Sequence, residues 1–305
     1  MRVVLKLVKR NCLNYLYDKT SIFFSLLSVL IIIFLYVGFL GELQVDSLIN
    51  RFNNLVSNGF LDQGSVPSTQ SIRWLVDSWI LAGIVTVNSI TVPLSILSDM
   101  ISDTENKTLN DFLTAPISRG QIVLGYLIAS WVVGIVLSLI TFGLGQFYMI
   151  TNGGEIISFM TLIKSILLII LSVVSFSAIS FFILSFVKSV STVGVINTLV
   201  GTLIGFLAGI YIPIGVIGET LQTVIKINPA AHTSSIFRQI FMEKPLGIVF
   251  SDAPAGTIDF YRSFYGVDMS LFGYDISVSV MILYMISIAF IFFGLSVFRL
   301  SRIKR

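Results

Sequence analysis

Residues 21–40 of the chain read SIFFSLLSVLIIIFLYVGFL, twenty positions without a charged side chain. A helix needs about 20 predominantly apolar residues to cross the hydrocarbon core of a bilayer. This stretch therefore predicts a membrane-spanning helix. Comparable apolar stretches follow at residues 74–98, 121–149, 158–187, 193–212 and 276–298. The sequence thus predicts an all-α polytopic membrane protein with six transmembrane helices.

The composition of the whole chain agrees with this class. Of 305 residues, 55% are hydrophobic and only 11% are charged, whereas soluble domains carry about 25% charged residues. This balance excludes a soluble enzyme and disfavours a nucleic-acid partner. The chain has one cysteine, Cys12, and one histidine, His232, which are too few for an internal disulfide or a Cys/His metal site. We expect no metal and no cofactor on this chain.

Basic residues are concentrated at both ends of the chain. The first 20 residues include Arg2, Lys6, Lys9, Arg10 and Lys19, and the last seven include Arg299, Arg302, Lys304 and Arg305. Positively charged segments remain on the cytoplasmic side, and residues 1–20 lack the pattern of a cleavable signal peptide. We therefore expect a multi-pass protein of a bacterial plasma (inner) membrane with both termini in the cytoplasm.

Residues 1–20 have the pattern of an amphipathic helix lying at the membrane surface. Its predicted apolar face holds Leu5, Val8, Cys12, Tyr15 and Leu16, and its predicted basic face holds Arg2, Lys6, Lys9 and Arg10. The pattern leaves two roles open, which are an anchor that fixes orientation and a surface that grips a partner. The remaining residues, 21–305, form the predicted transmembrane domain.

The segments between the spans divide into one cytoplasmic helix and two outer regions. A short amphipathic helix is predicted between the second and third spans, because Leu109, Phe112 and Leu113 recur at helical spacing and Pro116 ends the element. The outer regions are residues 41–73 and 213–275. In the second, Pro213 is expected to end the fifth span, and a re-entrant or interfacial hairpin is expected to turn near Asn228–Pro229. Residues 244–275 are turn-rich and form a predicted outer cap.

Polar residues inside predicted spans are candidates for function. Asp77, Asn88 and Asn197 are the candidates for a substrate pathway, although Asn side chains also bridge helices. In the fifth span, Gly201, Gly205 and Gly209 recur every four residues and are expected on one helical face. That face suits packing within the chain or against a second subunit. No P-loop or hydrolase motif occurs in the sequence, so we do not expect an enzyme.

Residues 105–125, ENKTLNDFLTAPISRGQIVLG, resemble a motif of type-2 ABC transporter permeases, also called ABC-2 permeases. The family pattern is close to E-x-G-T-L-E-x-L-x-x-x-P-[IV]-[ST], followed by leucine-glycine-lysine. The chain departs from it at three positions, where Lys107 replaces glycine, Asn110 an acidic residue and Tyr126 lysine. Asn228–Pro229 followed by Arg238 resembles a second family feature.

The resemblance implies the six-helix exporter core of this family, with an N-terminal connecting helix and a coupling helix at about 103–114. Two permeases, identical or related, would pair above two separate ATPase subunits that hold ATP and Mg²⁺. Contacts to the ATPase are assigned to Glu105, Thr108, Leu109, Phe112 and Leu113. The substrate path would run between spans 1, 2 and 5 of both permeases.

Several functions remain open at this point. The resemblance favours export of an amphipathic drug, an antimicrobial peptide or a lipid, with alternating access driven by the ATPases. An exporter of polysaccharide or teichoic-acid type shares the fold and is the alternative. A membrane receptor or scaffold that binds a ligand through residues 244–275 is a third possibility.

Overall fold

The computed structural model describes residues 2–114 and 116–301. The helices of the first half are α1 (Arg2–Tyr17), α2 (Lys19–Leu35), α3 (Gly41–Ser57), α4 (Thr69–Leu97), α5 (Asp99–Glu105), α6 (Thr108–Thr114) and α7 (Arg119–Thr151). Those of the second half are α8 (Phe159–Leu184), α9 (Val190–Leu207), α10 (Glu219–Ile227), α11 (Pro229–Val249), α12 (Thr257–Phe264) and α13 (Val278–Ser301). Two short antiparallel strands, β1 (Ser270–Leu271) and β2 (Tyr274–Asp275), form a small hairpin before α13.

Within the described residues, six helices are long and apolar enough to cross a membrane. They run over residues 29–57, 69–105, 119–151, 159–184, 190–207 and 278–299. Each overlaps a predicted span, the first of them over residues 29–40, so the chain is an all-α polytopic membrane protein.

The first span does not end where its apolar stretch ends. Asp18 begins α2 by accepting hydrogen bonds from the backbone N–H groups of Thr20 and Ser21, and the hydrogen bonds from Ser21 lower the pKa of this carboxyl. A π-helical segment, Tyr36–Leu40, then joins α2 to α3 without a break. The helix therefore continues to Ser57, because hydropathy marks the limit of the apolar layer and not the limit of the helix.

The fifth span ends earlier than expected. Helix α9 stops at Leu207 and not near Ile212, and Gly209 adopts φ +63° just beyond it. The N–H of Ile210 bonds to the carbonyl of Gly205 at 2.7 Å, and the N–H of Gly209 bonds to that of Phe206. These two bonds are the Schellman arrangement, which needs a left-handed residue and so favours glycine. Gly209, and not Pro213, therefore ends the span.

Helix α4 is the centre of the bundle. It packs against α2, α3, α7, α8, α9 and α11, and most of its length is buried. Small and hydroxyl residues permit this close packing on several sides. The hydroxyls of Thr86 and Ser89 donate to carbonyls one turn earlier in α4, each at 2.8 Å, so their burial leaves no donor unpaired.

The predicted hairpin after the fifth span is present. Helices α10 and α11 meet at Asn228, whose side chain accepts from the N–H of Ala230, and Pro229 occupies the first position of α11. The turn lies against the last span, since the hydroxyl of Tyr284 donates to the carbonyl of Ile227 at 2.7 Å. Helix α11 continues to Val249, so the predicted cap at residues 244–275 begins inside a helix and contains α12 and the β-hairpin.

Candidate functional site

The residues expected to form a single helix at about 103–114 belong to two short helices, and the first of these continues the second span to Glu105. Helix α5 ends at Glu105 and α6 begins at Thr108. Between them Lys107 adopts φ +63°, a left-handed conformation that costs a residue with a Cβ about 1–2 kcal/mol and that glycine adopts freely. The helical spacing of apolar residues does not show the interruption between Glu105 and Thr108, and it therefore predicted one helix. We call residues 99–114 the coupling segment.

Asp103 is the most buried carboxylate of the coupling segment, with 7% of the residue exposed. It accepts a hydrogen bond from Arg10 Nη1 at 2.7 Å and forms an ion pair with Nη2 of the same guanidinium. The hydroxyl of Tyr126 donates to Asp103 Oδ2 at 2.5 Å. The hydrogen bond to Asp103 raises the pKa of Arg10. This cluster ties α5 to α1 and to the third span.

Arg10 also contacts the second helix of the coupling segment. Its guanidinium lies over the ring of Phe112 in α6, 5.2 Å from the ring centroid, an arrangement in which the cation is attracted to the ring face. One side chain of α1 therefore touches both α5 and α6.

The side of α1 that packs against the bundle differs from the predicted apolar face. The buried residues are Leu7, Asn11 and Tyr15, while Leu5 and Leu16, which were assigned to the apolar face, are exposed. Leu7 packs against Gly125 of α7. A Cβ added to Gly125 would lie 2.9 Å from the Cβ of Leu7. The helix thus turns its Leu7 face to α7, which brings Arg10 to Asp103.

Glu105 connects the coupling segment to the fifth span. Its Oε2 accepts a hydrogen bond from the backbone N–H of Val190, the first residue of α9, at 2.7 Å. The first N–H groups of a helix lack partners within the helix, and a carboxylate there is stabilising. Glu105 was expected to contact a partner, and in the isolated chain it caps a span.

The other predicted coupling residues have different surroundings. Leu109 is buried in a cluster with Leu97, Ile101 and Ile122, so it packs inside the chain. Phe112 and Thr108 are half-buried, and the side chain of Leu113 lies outside the described part of the structure. Among the side chains of the segment that the structure describes, the exposed ones are Glu105, Asn106, Lys107, Asp111 and Thr114.

A cavity of about 290 Å³ lies between the first, second and third spans. Its walls are mostly apolar side chains from α2, α4 and α7, and its polar residues include Arg73 and Asp77. These two residues are one turn apart on α4, with Arg73 nearer to the start of the helix. Asp77 Oδ2 is buried and accepts no hydrogen bond from the described residues.

The three predicted pathway residues do not form one site. Asp77 lines the cavity, whereas Asn88 donates from Nδ2 to the hydroxyl of Thr141 at 2.9 Å and bridges α4 to α7. Asn197 lies half-buried on α9. Asn88 is therefore a helix-bridging residue, which was the alternative interpretation of an intramembrane asparagine.

The three glycines of the fifth span do not share a helical face. Gly209 lies beyond the end of α9, and a Cβ on Gly205 would come within 2.3 Å of the ring of Tyr211. The space beside Gly205 is thus filled by Tyr211 of the same chain. Gly201 is half-buried within α9.

Arg238 forms a second polar cluster whose contacts the sequence did not reveal. It is 2% exposed, and its guanidinium donates to the carbonyls of Ala208, Gly209, Tyr265 and Gly266 at 2.6–3.3 Å. It also lies 5.0 Å from the ring centroid of Trp79. The positive charge therefore meets carbonyls at the ends of α9 and α12, which carry partial negative charge.

A family model described as ABC-2 type transporter matches residues 2–242. The chain belongs to this family. No curated protein matches the chain. The ABC-2 assignment makes the protein a multi-pass permease subunit of an ABC transporter, a class that works with ABC ATPase subunits and is typically not itself catalytic. The match ends at Met242 in α11, before α12, the β-hairpin and the last span.

Proposed function

We propose that this permease is the membrane subunit of an ATP-driven exporter that moves an amphipathic drug, an antimicrobial peptide or a lipid outward by alternating access. ATP and Mg²⁺ would be bound by two separate ATPase subunits beneath two permeases. The termini and the coupling segment would lie on the cytoplasmic side of a bacterial plasma membrane.

The observation that carries the proposal is the set of contacts made by the coupling segment. Asp103 is bonded to α1 and the third span, and Glu105 to the start of the fifth span. A displacement of this segment therefore acts on three elements at once. Its exposed edge, which includes Lys107 and Asp111, is the part that remains free to dock on an ATPase.

The cavity supports an amphipathic cargo over a sugar polymer. Its walls are largely aliphatic, with Tyr36 and Tyr148 as the aromatic lining residues. A polysaccharide path would need stacking aromatic side chains and many hydrogen-bonding groups along its length.

The second permease is proposed to pack against α9. Large apolar side chains repeat along this helix and are 43–58% exposed, namely Val195, Leu199, Leu203 and Phe206. They lie at spacings of three and four residues and so form one stripe. This stripe replaces the glycine face that was expected to serve the same purpose.

Charge reversal at the exposed edge of the coupling segment tests the docking role. In Lys107→Glu/Asp111→Lys, the buried residues of the segment are unchanged, so insertion should be preserved. A mild-detergent pull-down from the native membrane should recover a P-loop ATPase with the wild-type chain and lose at least nine tenths of it with the variant. Lys19→Glu, which alters an exposed lysine outside the segment, is the control. Retention of the ATPase by the double variant would contradict the proposal.

A further inference from the structure

We propose that the cavity between the first three spans binds one molecule of a single-chain lysophospholipid. Its walls include Leu26, Ile33, Ile80, Ile84 and Leu144, which suit an acyl chain. Its volume of about 290 Å³ lies at the lower edge of the range of ligand pockets, ~300–1,000 Å³. One acyl chain therefore fits better than the two chains of an ordinary membrane lipid.

The polar groups identify the head of the ligand. Asp77 Oδ2 is buried without a donor among the described residues, and burying an unpaired carboxylate oxygen is costly. Arg73 lies one turn toward the start of α4, at a rise of about 6 Å. A ligand should thus present, in order, an apolar chain, a hydrogen-bond donor and an anion.

A lysophospholipid has these groups in this order. Its acyl chain is followed by a free glycerol hydroxyl and then by a phosphate. The hydroxyl donates to Asp77 Oδ2, and the phosphate accepts charge-assisted hydrogen bonds from the guanidinium of Arg73. A diacyl lipid has no such hydroxyl, because it is esterified.

This inference does not depend on the exporter proposal. Binding is a property of the permease alone, and it is measured without an ATPase or transport. Loss of the exporter function would leave the binding prediction intact, and the reverse also holds.

The experiment is native mass spectrometry of the purified full chain in a non-ionic detergent with 1-acyl lysophosphatidylcholine. The glycerol O–H is the only hydroxyl of this probe. A saturable 1:1 adduct is expected, and the 2-O-methyl ether of the same lipid should bind about tenfold more weakly because the donor is gone. Arg73→Gln and Asp77→Leu should each weaken binding of the parent lipid by about tenfold, and Asp77→Leu should abolish the difference between the two lipids.

Matched tryptophan variants test the location. Leu144 and Phe147 both lie on the exposed surface of α7, 65% and 68% exposed, but only Leu144 lines the cavity. Leu144→Trp should prevent binding, and Phe147→Trp should leave it unchanged. The proposal is overturned if no 1:1 adduct forms, if the ether binds as well as the parent lipid, or if Leu144→Trp binds normally. Competition by glycerophosphocholine, the headgroup without its chain, would overturn it as well.

Discussion

Lys107 has a backbone conformation that is unfavourable for a residue with a Cβ. Its φ of +63° follows the end of α5, in the position where left-handed glycine commonly follows a helix. Lys107→Gly should therefore stabilise the fold by up to about 1 kcal/mol, seen as a higher midpoint of thermal unfolding in detergent. Lys107→Ala should have no such effect, because alanine keeps the Cβ. Equal effects of the two changes would show that the lysine side chain, and not the backbone, is responsible.

Arg10 offers a second test at the scale of residues. Arg10→Met leaves the buried carboxylate of Asp103 without its cation, and we expect a loss of about 1–3 kcal/mol in the free energy of unfolding. Asp103→Asn in the same chain should recover part of this loss, because the unpaired charge is removed. A double-mutant cycle by denaturant unfolding measures the coupling. Lys9→Met, at an exposed neighbour, is the control, and strictly additive effects would refute the pairing.

These two residues also show what a single sequence can reveal. Lys107 was marked as a departure from the family glycine, but its conformation depends on a break that apolar spacing does not show. Helical spacing placed Arg10 on a basic face. Its pairing with Asp103 could not be recognised, because the two residues are 93 positions apart in the sequence. Leu109 was correctly identified as an apolar position of a short helix. Amphipathicity does not say whether a partner or the same chain covers such a position.

At the scale of elements, the packing of α1 on α7 depends on one glycine. A Cβ on Gly125 would approach Leu7 Cβ to 2.9 Å, so Gly125→Ala forces the two helices apart. Overpacking of this kind costs about 1–3 kcal/mol. We expect a lower unfolding midpoint and weaker stimulation of the ATPase by the permease, since Arg10 moves with α1. Gly120→Ala is the control, because nothing lies within 4 Å of its added Cβ. Equal behaviour of the two variants would argue against this contact.

The elements themselves were the most predictable part of the molecule. Each span requires a long apolar stretch, and this requirement is local in sequence. The ends of the spans were less predictable, because they depend on turns such as the left-handed Gly209 and on the π-helical segment Tyr36–Leu40. The hairpin at Asn228–Pro229 was predictable, since asparagine before proline is a strong helix start.

At the scale of the whole molecule, the exposed stripe on α9 predicts where the second permease lies. A photoreactive amino acid at Leu199, 54% exposed, should cross-link to a permease chain, identical or related, in native membranes. The same group at Leu167 on α8, 61% exposed, should cross-link mainly to lipid. Mass spectrometry of the products identifies the partner. A cross-link from Leu167 and none from Leu199 would place the interface on another face.

Arg238 also constrains how related sequences can diverge. Its hydrogen bonds within the described chain go to main-chain carbonyls, which every amino acid supplies. Ala208 and Tyr265 can therefore be exchanged without removing an acceptor, whereas Gly209 and Gly266 are held by their positive φ angles. The arginine fixes the backbone path of two loops and leaves the identity of some of their residues free to vary. A substitution at position 238 should therefore have no compensating substitution elsewhere. Pairwise covariation between positions would not detect Arg238, although its side chain makes four hydrogen bonds.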